Sequence, residues 1–134
     1  MSPWYETHRS MLYPSMCDAQ GHLNTAGYMQ IFDSAIFQVM FCLGYSIQDC
    51  EEKHIGWADV THNIEYRKEL RAGWPIFVRS QAIEFGRKSL TTQHEMYVVG
   101  SFEAAATLKA KTVQFDLKRR IAVELLSSIS GKLT

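Results

Sequence analysis

The feature that most constrains the fold is a long apolar segment between Asn24 and Gly44. Its apolar residues cover most of a helix circumference rather than one stripe: Ala26, Tyr28, Met29, Ile31, Phe32, Ala35, Ile36, Phe37, Val39, Met40, Phe41 and Leu43. Asn24 suits a helix N-cap, and Gly44 suits the residue after a helix end. Such a helix is buried on most sides or spans a membrane. Four polar residues argue against a span: Gln30, Asp33, Ser34 and Gln38. We expect a helix about 28 Å long, which the rest of the chain must wrap.

Length and composition predict one domain over residues 1–134. The zero formal net charge gives no reason to expect a nucleic-acid or membrane partner, and it favours association between copies. Three cysteines without metal-type spacing fit a reducing compartment. The first residues lack the pattern of a signal peptide. We therefore expect a cytoplasmic protein.

Strand patterns flank the helix on both sides. The first runs from Tyr5 to Tyr13, where Pro14 ends it. Period-two alternation predicts four more strands after the helix, over residues 57–70, 74–85, 89–99 and 102–117. We expect glycine-first type II′ hairpin turns at residues 85–88 and 99–102, a bulge near Thr112, and a short helix over residues 123–129.

This order of elements indicates an α+β fold, with an antiparallel sheet curled around one apolar helix. A single small sheet covers only part of such a helix. We therefore expect a second copy of the chain to complete the burial, in a homodimer or homotetramer.

Asp18 has two interpretations from the residues alone. Asp at the first position and Gly21 at the fourth position fit a type I turn, which is the commoner explanation. The alternative is a carboxylate placed just before a helix N-terminus, where free amides and the helix dipole keep it ionised.

Two sequence blocks resemble a known family. Residues 18–24 read Asp-Ala-Gln-Gly-His-Leu-Asn, and Tyr28 and the run Phe-Asp-Ser-Ala at residues 32–35 follow. They are similar to the signature Asp-x-x-Gly-His-x-Asn-x-x-x-Tyr-x-x-x-Phe-x-x-Ala of hotdog-fold acyl-CoA thioesterases of the 4-hydroxybenzoyl-CoA thioesterase type. Residues 61–70 with Gly73 resemble the second-strand block of that family, particularly of a branch that includes betainyl-CoA thioesterases.

The resemblance implies a hotdog fold and an acyl-CoA thioesterase. It implies that Asp18 is the catalytic carboxylate and leaves open whether Asp18 is a nucleophile or a general base. The amides around Thr25 and Ala26 are then expected to stabilise the oxyanion. Asn24 would fix the helix start, and His22 would orient a water or the acyl carbonyl. Loop hydrogen bonding and capping are the alternative roles of His22 and Asn24.

Substrate-binding roles are expected for Tyr28, His62, Arg87 and Lys88. His62 shares a strand face with apolar neighbours, so a buried structural histidine is the alternative. Arg87 and Lys88 lie on a turn, where they are either solvated charges or partners for the phosphates of coenzyme A. Coenzyme A is part of the substrate, so no separate cofactor is expected. The five histidines lack paired ligand spacing, so no metal is expected either.

Two other functions remain open at this point. A hotdog hydratase or dehydratase would use a histidine and an acid on a carbon–carbon double bond, which would make His22 or His62 essential. A non-catalytic acyl-CoA-binding hotdog protein would bind the substrate and release no thiol.

Overall fold

The structure is a computed structural model, and it describes residues 2–131. The strands are β1 (Tyr5–Met11), β2 (Ile55–Tyr66), β3 (Pro75–Phe85), β4 (Ser89–Val98), β5 (Ala106–Asp116) and β6 (Ile121–Ala122). The helices are α1 (Thr25–Cys42), α2 (Ile47–Glu51) and α3 (Ser127–Ser130), and a short 3-10 turn spans Pro14–Met16. The expected order of a strand, a long helix and four further strands is confirmed.

The helix α1 begins and ends at the residues expected from the sequence. The Asn24 side chain accepts a hydrogen bond from the Gly27 N–H at 2.7 Å, so Asn24 is the N-cap. Gly44 has a φ of +121°, the left-handed conformation common just beyond a helix end. The two residues bound an 18-residue helix. Within residues 2–131, no helix is long and apolar enough to cross a membrane.

The strands form one antiparallel sheet in the order β1-β3-β4-β5-β2, and β6 pairs with the end of β5. The register shifts at three places, in β1 between Glu6 and His8, in β2 between Asp59 and Thr61, and in β3 between Ala82 and Glu84. Such bulges bend strands and increase twist. They help the sheet to curve around α1, as expected.

One side of α1 is buried under the inner face of the sheet. Phe32 has no exposed surface, and Ile36 and Met40 are similarly buried. On the other side, Phe37 is 44% exposed and Phe41 is 42% exposed. The sheet of one chain therefore covers one face of the helix and leaves an apolar strip open.

Three local predictions need correction. Gly86 pairs opposite Ser89, so Arg87 and Lys88 form the tip of that turn, and Gly86 lacks the positive φ of a type II′ turn. Gly100, with a φ of +92°, is the third residue of a turn from Val98 to Ser101, as in a type II turn. The bulge expected near Thr112 lies instead on the facing strand β2.

The strand and helix bounds are also shorter than the sequence patterns. The fifth strand begins at Ala106 rather than residue 102, and the C-terminal helix covers only Ser127–Ser130. Period-two alternation continues into extended loop residues, so the pattern alone could not locate these ends.

A row of buried polar side chains lies on the inner face of the sheet. Both ring nitrogens of His94 are hydrogen-bonded, Nδ1 to Ser80 Oγ at 2.6 Å and Nε2 to Thr92 Oγ1 at 2.7 Å. Ser80 Oγ lies 2.7 Å from Thr7 Oγ1. Burial, followed by the neighbouring His62, lowers the pKa of His94 to about 3. His94 is therefore a neutral core residue at ordinary pH.

We predict that His94 makes the fold sensitive to mild acid. Its pKa is lower in the folded chain than in the unfolded chain, so the unfolded chain gains the proton first. Stability is then complete above about pH 6.5 and falls by up to about 1.4 kcal/mol per pH unit as the pH decreases towards the folded pKa. Urea denaturation at pH 7.5 and pH 5.5 measures this slope. His94→Gln should show a clearly smaller slope, although His8, whose pKa burial also lowers, contributes in the same direction in both proteins. Equal slopes would contradict the prediction.

Because one face of α1 is buried and the other is partly exposed, replacing Phe32 or Phe37 by alanine should lower the free energy of unfolding by different amounts. Phe32→Ala should lower the free energy of unfolding by about 3–5 kcal/mol, since it leaves a cavity in a closed core. Phe37→Ala should cost only about 1–1.5 kcal/mol, because the side chain keeps much of its surface in water. If Phe37→Ala also weakens association between copies of the chain, that additional loss of stability would depend on protein concentration. A concentration-independent loss of about 3 kcal/mol or more for Phe37→Ala would be inconsistent with one-sided coverage.

Candidate active site

The loop before α1 is closed by its own backbone. Gly21 N–H donates to the Asp18 carbonyl at 3.0 Å, and Asp18 N–H donates to the His22 carbonyl at 2.8 Å. Gly21 has a φ of +81°, which few other residues adopt without strain. The turn interpretation of Asp18 is therefore correct for its backbone, and the role of its side chain is a separate question.

The Asp18 carboxylate is exposed and held by two loop amides. Its Oδ1 accepts hydrogen bonds from Gln20 N–H at 2.9 Å and His22 N–H at 3.1 Å. The His22 amide, together with that of Gln20, holds the pKa of Asp18 below its ordinary value. Within residues 2–131, Oδ2 has no hydrogen-bond partner. Asp18 is thus an ionised group with one oxygen anchored and the other available for chemistry.

The start of α1 offers further donors. The amide of Gly27 is taken by the Asn24 side chain, and the amide of Tyr28 donates to the Asn24 carbonyl at 3.1 Å. The amides of Thr25 and Ala26 have no partner among the residues that the structure describes. These free amides lie at the positive end of the helix dipole, where they suit an anion.

A second wall of the site comes from the end of β2. Leu23 N–H donates to the Leu70 carbonyl at 2.7 Å, and His22 forms a β-bridge with Arg71. These bonds hold the loop against the segment after β2 and leave a pocket of about 390 Å³ between them. The pocket is lined by Asp18, His22, Leu23, Asn24, Thr25, Tyr28, Tyr66, Arg67, Lys68 and Glu69. The structure therefore brings together the expected residues of the loop and helix start.

His22 faces an acid across this pocket. Its Nε2 lies 3.3 Å from Glu69 Oε2, but this nitrogen is buried without the geometry of a hydrogen bond. The side chain of Glu69 is 72% exposed, so this contact is accessible to solvent. His22 is thus placed by the loop backbone and lies beside Glu69, without a hydrogen bond between the two side chains.

Three expected site residues lie elsewhere in the chain. His62 lies about 13 Å from Tyr66 along β2 at ~3.3 Å per residue, and its Nε2 is 3.6 Å from Asp59 Oδ1. It lines a larger pocket of about 750 Å³ between β2, β4 and β5, beside Lys109 and Lys111. None of the residues of the loop before α1 lines that pocket. We therefore do not assign the active site to it, although it is larger.

Arg87 and Lys88 form the β3–β4 turn, at the opposite end of the sheet from Tyr66. Arg87 Nε lies 3.4 Å from Glu124 Oε1, and both side chains are exposed. Within one chain, neither residue reaches the Asp18 pocket. Among residues 2–131, no three His, Cys, Asp or Glu side chains cluster closely enough to hold a metal ion.

Sequence reasoning missed the pocket wall formed by Tyr66, Arg67, Lys68 and Glu69. These residues belong to the second sequence block, and the basic side chains Arg67 and Lys68 were interpreted as solvated surface charges. The signal that could have located them is the position of that block at the end of the edge strand, where the chain must turn back towards the loop.

The comparison with protein families gives a match over residues 13–133 to the model of the thioesterase-like superfamily. The chain belongs to the thioesterase-like superfamily. This membership confirms the resemblance noted from the two sequence blocks, and at the level of the family it confirms the expected thioester hydrolase. A curated relative is the betainyl-CoA thioesterase of Pseudomonas aeruginosa strain PAO1, which is 27% identical over 106 residues, covering 79% of this chain and 67% of the relative.

Solved structures of other proteins share the fold. A hypothetical protein of Staphylococcus aureus, solved in complex with CoA, matches with a TM-score of 0.88 at 16% identity, covering 99% of this chain and 83% of its own. A 1,4-dihydroxy-2-naphthoyl-CoA thioesterase of Synechocystis matches with a TM-score of 0.81 at 14% identity, over 98% of this chain and 94% of its own. The expected hotdog fold is confirmed.

The cap of α1 gives a test of the helix start in this thioesterase-like chain. Asn24→Ala removes the acceptor for Gly27 N–H and should lower the free energy of unfolding by about 1 kcal/mol. Asn24→Asp keeps an acceptor at the same position and should stay close to the original protein. Urea denaturation of the three proteins measures the difference. Equal stability of the Ala and Asp variants would show that the cap contributes nothing.

Proposed function

We propose that this protein hydrolyses an acyl-CoA thioester to a free acid and coenzyme A, with Asp18 as the catalytic carboxylate. The observation that carries the proposal is the state of Asp18. It is ionised, it is anchored through one oxygen, and it lines the same pocket as Thr25, whose amide is free. Membership of the thioesterase-like superfamily supports the reaction class.

In the proposed reaction, the free Oδ2 of Asp18 acts on the thioester carbonyl or on a water beside it. As a base, Oδ2 takes a proton from water while the water oxygen bonds to the acyl carbon. The carbon–sulfur bond then breaks, and the departing thiolate of coenzyme A receives a proton. As a nucleophile, Oδ2 bonds to the acyl carbon, the carbon–sulfur bond breaks and the thiolate of coenzyme A departs and is protonated; water then hydrolyses the resulting anhydride to the free acid and the Asp18 carboxylate.

Both routes place negative charge on the carbonyl oxygen. The free amides of Thr25 and Ala26 are suited to stabilise that charge, because they are fixed in place by the cap at Asn24 before the reaction begins. Losing one such donor typically costs about 10²–10³ in rate.

The two routes differ in the fate of solvent oxygen. After repeated turnover in ¹⁸O-water, the nucleophilic route leaves label in the Asp18 side chain when water attacks the Asp18 carbonyl of the anhydride. General-base catalysis leaves the side chain unlabelled. Mass spectrometry of the peptide that contains Asp18 detects the label.

A second copy of the chain is part of the proposal. The apolar strip at Phe37 and Phe41 is exposed, and β2 is a 12-residue edge strand with one side unpaired in the sheet. Exposed edges of this kind pair readily with another chain. We propose a homodimer or homotetramer in which Arg87 and Lys88 of one subunit meet the phosphates of a coenzyme A bound at the Asp18 pocket of another.

Two alternatives have distinct outcomes in assays. A hydratase would draw on the pair of His22 and Glu69 and would change the absorbance of an enoyl-CoA without releasing thiol. A non-catalytic binding protein would bind acyl-CoA and release none. A thiol-release assay across short, branched, aromatic and long acyl-CoAs separates these functions. Betainyl-CoA belongs in that panel, because it is the substrate named for the curated relative.

The sharpest test of the site is Asp18→Asn. Asparagine keeps the size of the side chain and can still accept the hydrogen bonds from Gln20 and His22, so the fold should be unchanged. The rate constant kcat should fall by about 10² or more, because the charged oxygen is lost. The variant is assayed fresh and checked by mass, since asparagine can deamidate to aspartate.

Asp116→Asn is the matched control for this test. Asp116 is another carboxylate whose Oδ1 accepts two nearby amide hydrogen bonds, from Lys118 and Arg119, at 2.9 Å each. It lies outside the Asp18 pocket and should keep the original kcat. A correctly folded Asp18→Asn protein with full activity would refute the assignment and direct attention to His22.

A further inference from the structure

An exposed arginine, Arg71, lies at the rim of the Asp18 pocket. It forms a β-bridge with His22, and residues directly opposite each other in an antiparallel pair have their side chains on one face. Because His22 lines the pocket, Arg71 lies at the margin of the pocket. Its guanidinium lies beside the turn of the loop, where a β-carbon at Gly21 would be 4.0 Å from Arg71 Nη1.

The charges that line the pocket are balanced. Two acids, Asp18 and Glu69, face two bases, Arg67 and Lys68. Each of the two bases also contacts an acid outside the lining, at 3.1 Å for Arg67 and 2.6 Å for Lys68. The lining alone therefore gives no strong preference for an anion or for a cation.

Arg71 adds a positive charge that the chain does not use. Among residues 2–131, no acidic side chain forms an ion pair with it. The two nearest acids in the site are engaged elsewhere: Glu69 lies beside His22, and one oxygen of Asp18 is held by loop amides. Arg71 can therefore bind an anion without giving up a partner. A guanidinium binds a phosphate through two parallel hydrogen bonds.

The distance from Asp18 to Arg71 suits the shape of coenzyme A. Its pantetheine arm places the diphosphate up to about 15 Å from the sulfur, at roughly 1.2 Å per bond of an extended chain. Asp18 and Gly21 are the ends of one turn, so their Cα atoms are less than about 7 Å apart. The guanidinium beside Gly21 is thus within reach of a diphosphate whose thioester lies at Asp18, and the arm bends to fit.

We propose that Arg71 binds the diphosphate of coenzyme A while the acyl group occupies the Asp18 pocket of the same chain. The proposal rests on the proposed acyl-CoA hydrolysis for its ligand and adds a binding residue to it. It leaves the separate 3′-phosphate of coenzyme A for Arg87 and Lys88 of a second subunit.

The first experiment uses three thioesters of one acyl group, the group with the highest kcat/KM in the thiol-release panel. Acyl-CoA carries all the phosphates, acyl-dephospho-CoA lacks the 3′-phosphate, and acyl-pantetheine lacks every phosphate. Arg71→Gln should lower the ratio of kcat/KM for acyl-CoA to that for acyl-pantetheine on the order of 10-fold, mainly through KM. The ratio for acyl-dephospho-CoA to acyl-pantetheine should fall by the same factor.

These ratios separate phosphate binding from a structural role. If Arg71 only supported the loop at Gly21, Arg71→Gln would affect the three substrates alike and both ratios would stay constant. That result would overturn the proposal. A loss confined to acyl-CoA would assign Arg71 to the 3′-phosphate and would also overturn it. Arg71→Lys keeps the charge without the planar fork, so its ratios should fall less than those of Arg71→Gln.

Two further variants serve as controls. Arg9→Gln removes an exposed arginine of β1, at the opposite edge of the sheet from β2, and should leave both ratios unchanged. Lys88→Gln should lower the use of acyl-CoA relative to acyl-dephospho-CoA and should leave the ratio of acyl-dephospho-CoA to acyl-pantetheine unchanged. The two sets of phosphates are thereby tested independently.

Calorimetry with free coenzyme A distinguishes a failure of this proposal from a failure of the proposed hydrolysis. Arg71→Gln should raise the Kd for coenzyme A on the order of 10-fold, whether or not the protein releases thiol. If no acyl-CoA releases thiol and this difference is measured, hydrolysis fails and the role of Arg71 stands. If thiol is released and the Kd values of the two folded proteins are equal, hydrolysis stands and the role of Arg71 fails.

Discussion

The burial of one face of α1 under a curved sheet is the interaction on which the rest of this structure depends. Phe32 and Ile36 lose nearly all their exposure there, and each buried side chain of this size contributes about 1.5–3 kcal/mol. The sheet can follow the helix because bulges bend it. Since the helix is fixed along its length, its first turn is fixed as well, and the free amides of Thr25 and Ala26 have a defined position.

The pocket depends on a second, more local constraint, which is the register of β2. Val60 is unpaired at the bulge. Before the bulge the odd-numbered residues of β2 lie on the face towards α1, and after the bulge the even-numbered residues lie on that face. Tyr66 therefore lies opposite Ala106 on the inner side and contacts Tyr28. Without the bulge, Glu65 would take that position and Tyr66 would lie on the outer face. The hydrogen bond from Leu23 to Leu70 then holds the loop against this strand end.

Much of the fold followed from local signals. Asn24 and Gly44 defined α1 because caps depend on neighbouring backbone, and alternation identified every long strand. The loop residues Asp18, His22, Asn24, Thr25 and Tyr28 came together because they are close in sequence. Glu69 and Tyr66 could not be assigned to the site, since their contacts depend on a bulge and a bridge between distant segments. The exposure of Phe37 was also missed, because an all-round apolar helix does not reveal which face one chain leaves open.

The groups that keep Asp18 ionised determine whether the amides at the start of α1 remain free to bind another anion. From sequence, the start of α1 was the expected stabiliser of this carboxylate. In the structure, the amides of Gln20 and His22 hold its Oδ1, and these donors belong to the loop. The amides of Thr25 and Ala26 are consequently not consumed by the carboxylate. A site that used the same donors for both groups would have to release Asp18 before it could stabilise a carbonyl oxygen. Separate donors keep Asp18 charged until it reacts and leave the amides of Thr25 and Ala26 free for the carbonyl oxygen, to which the negative charge passes by either route.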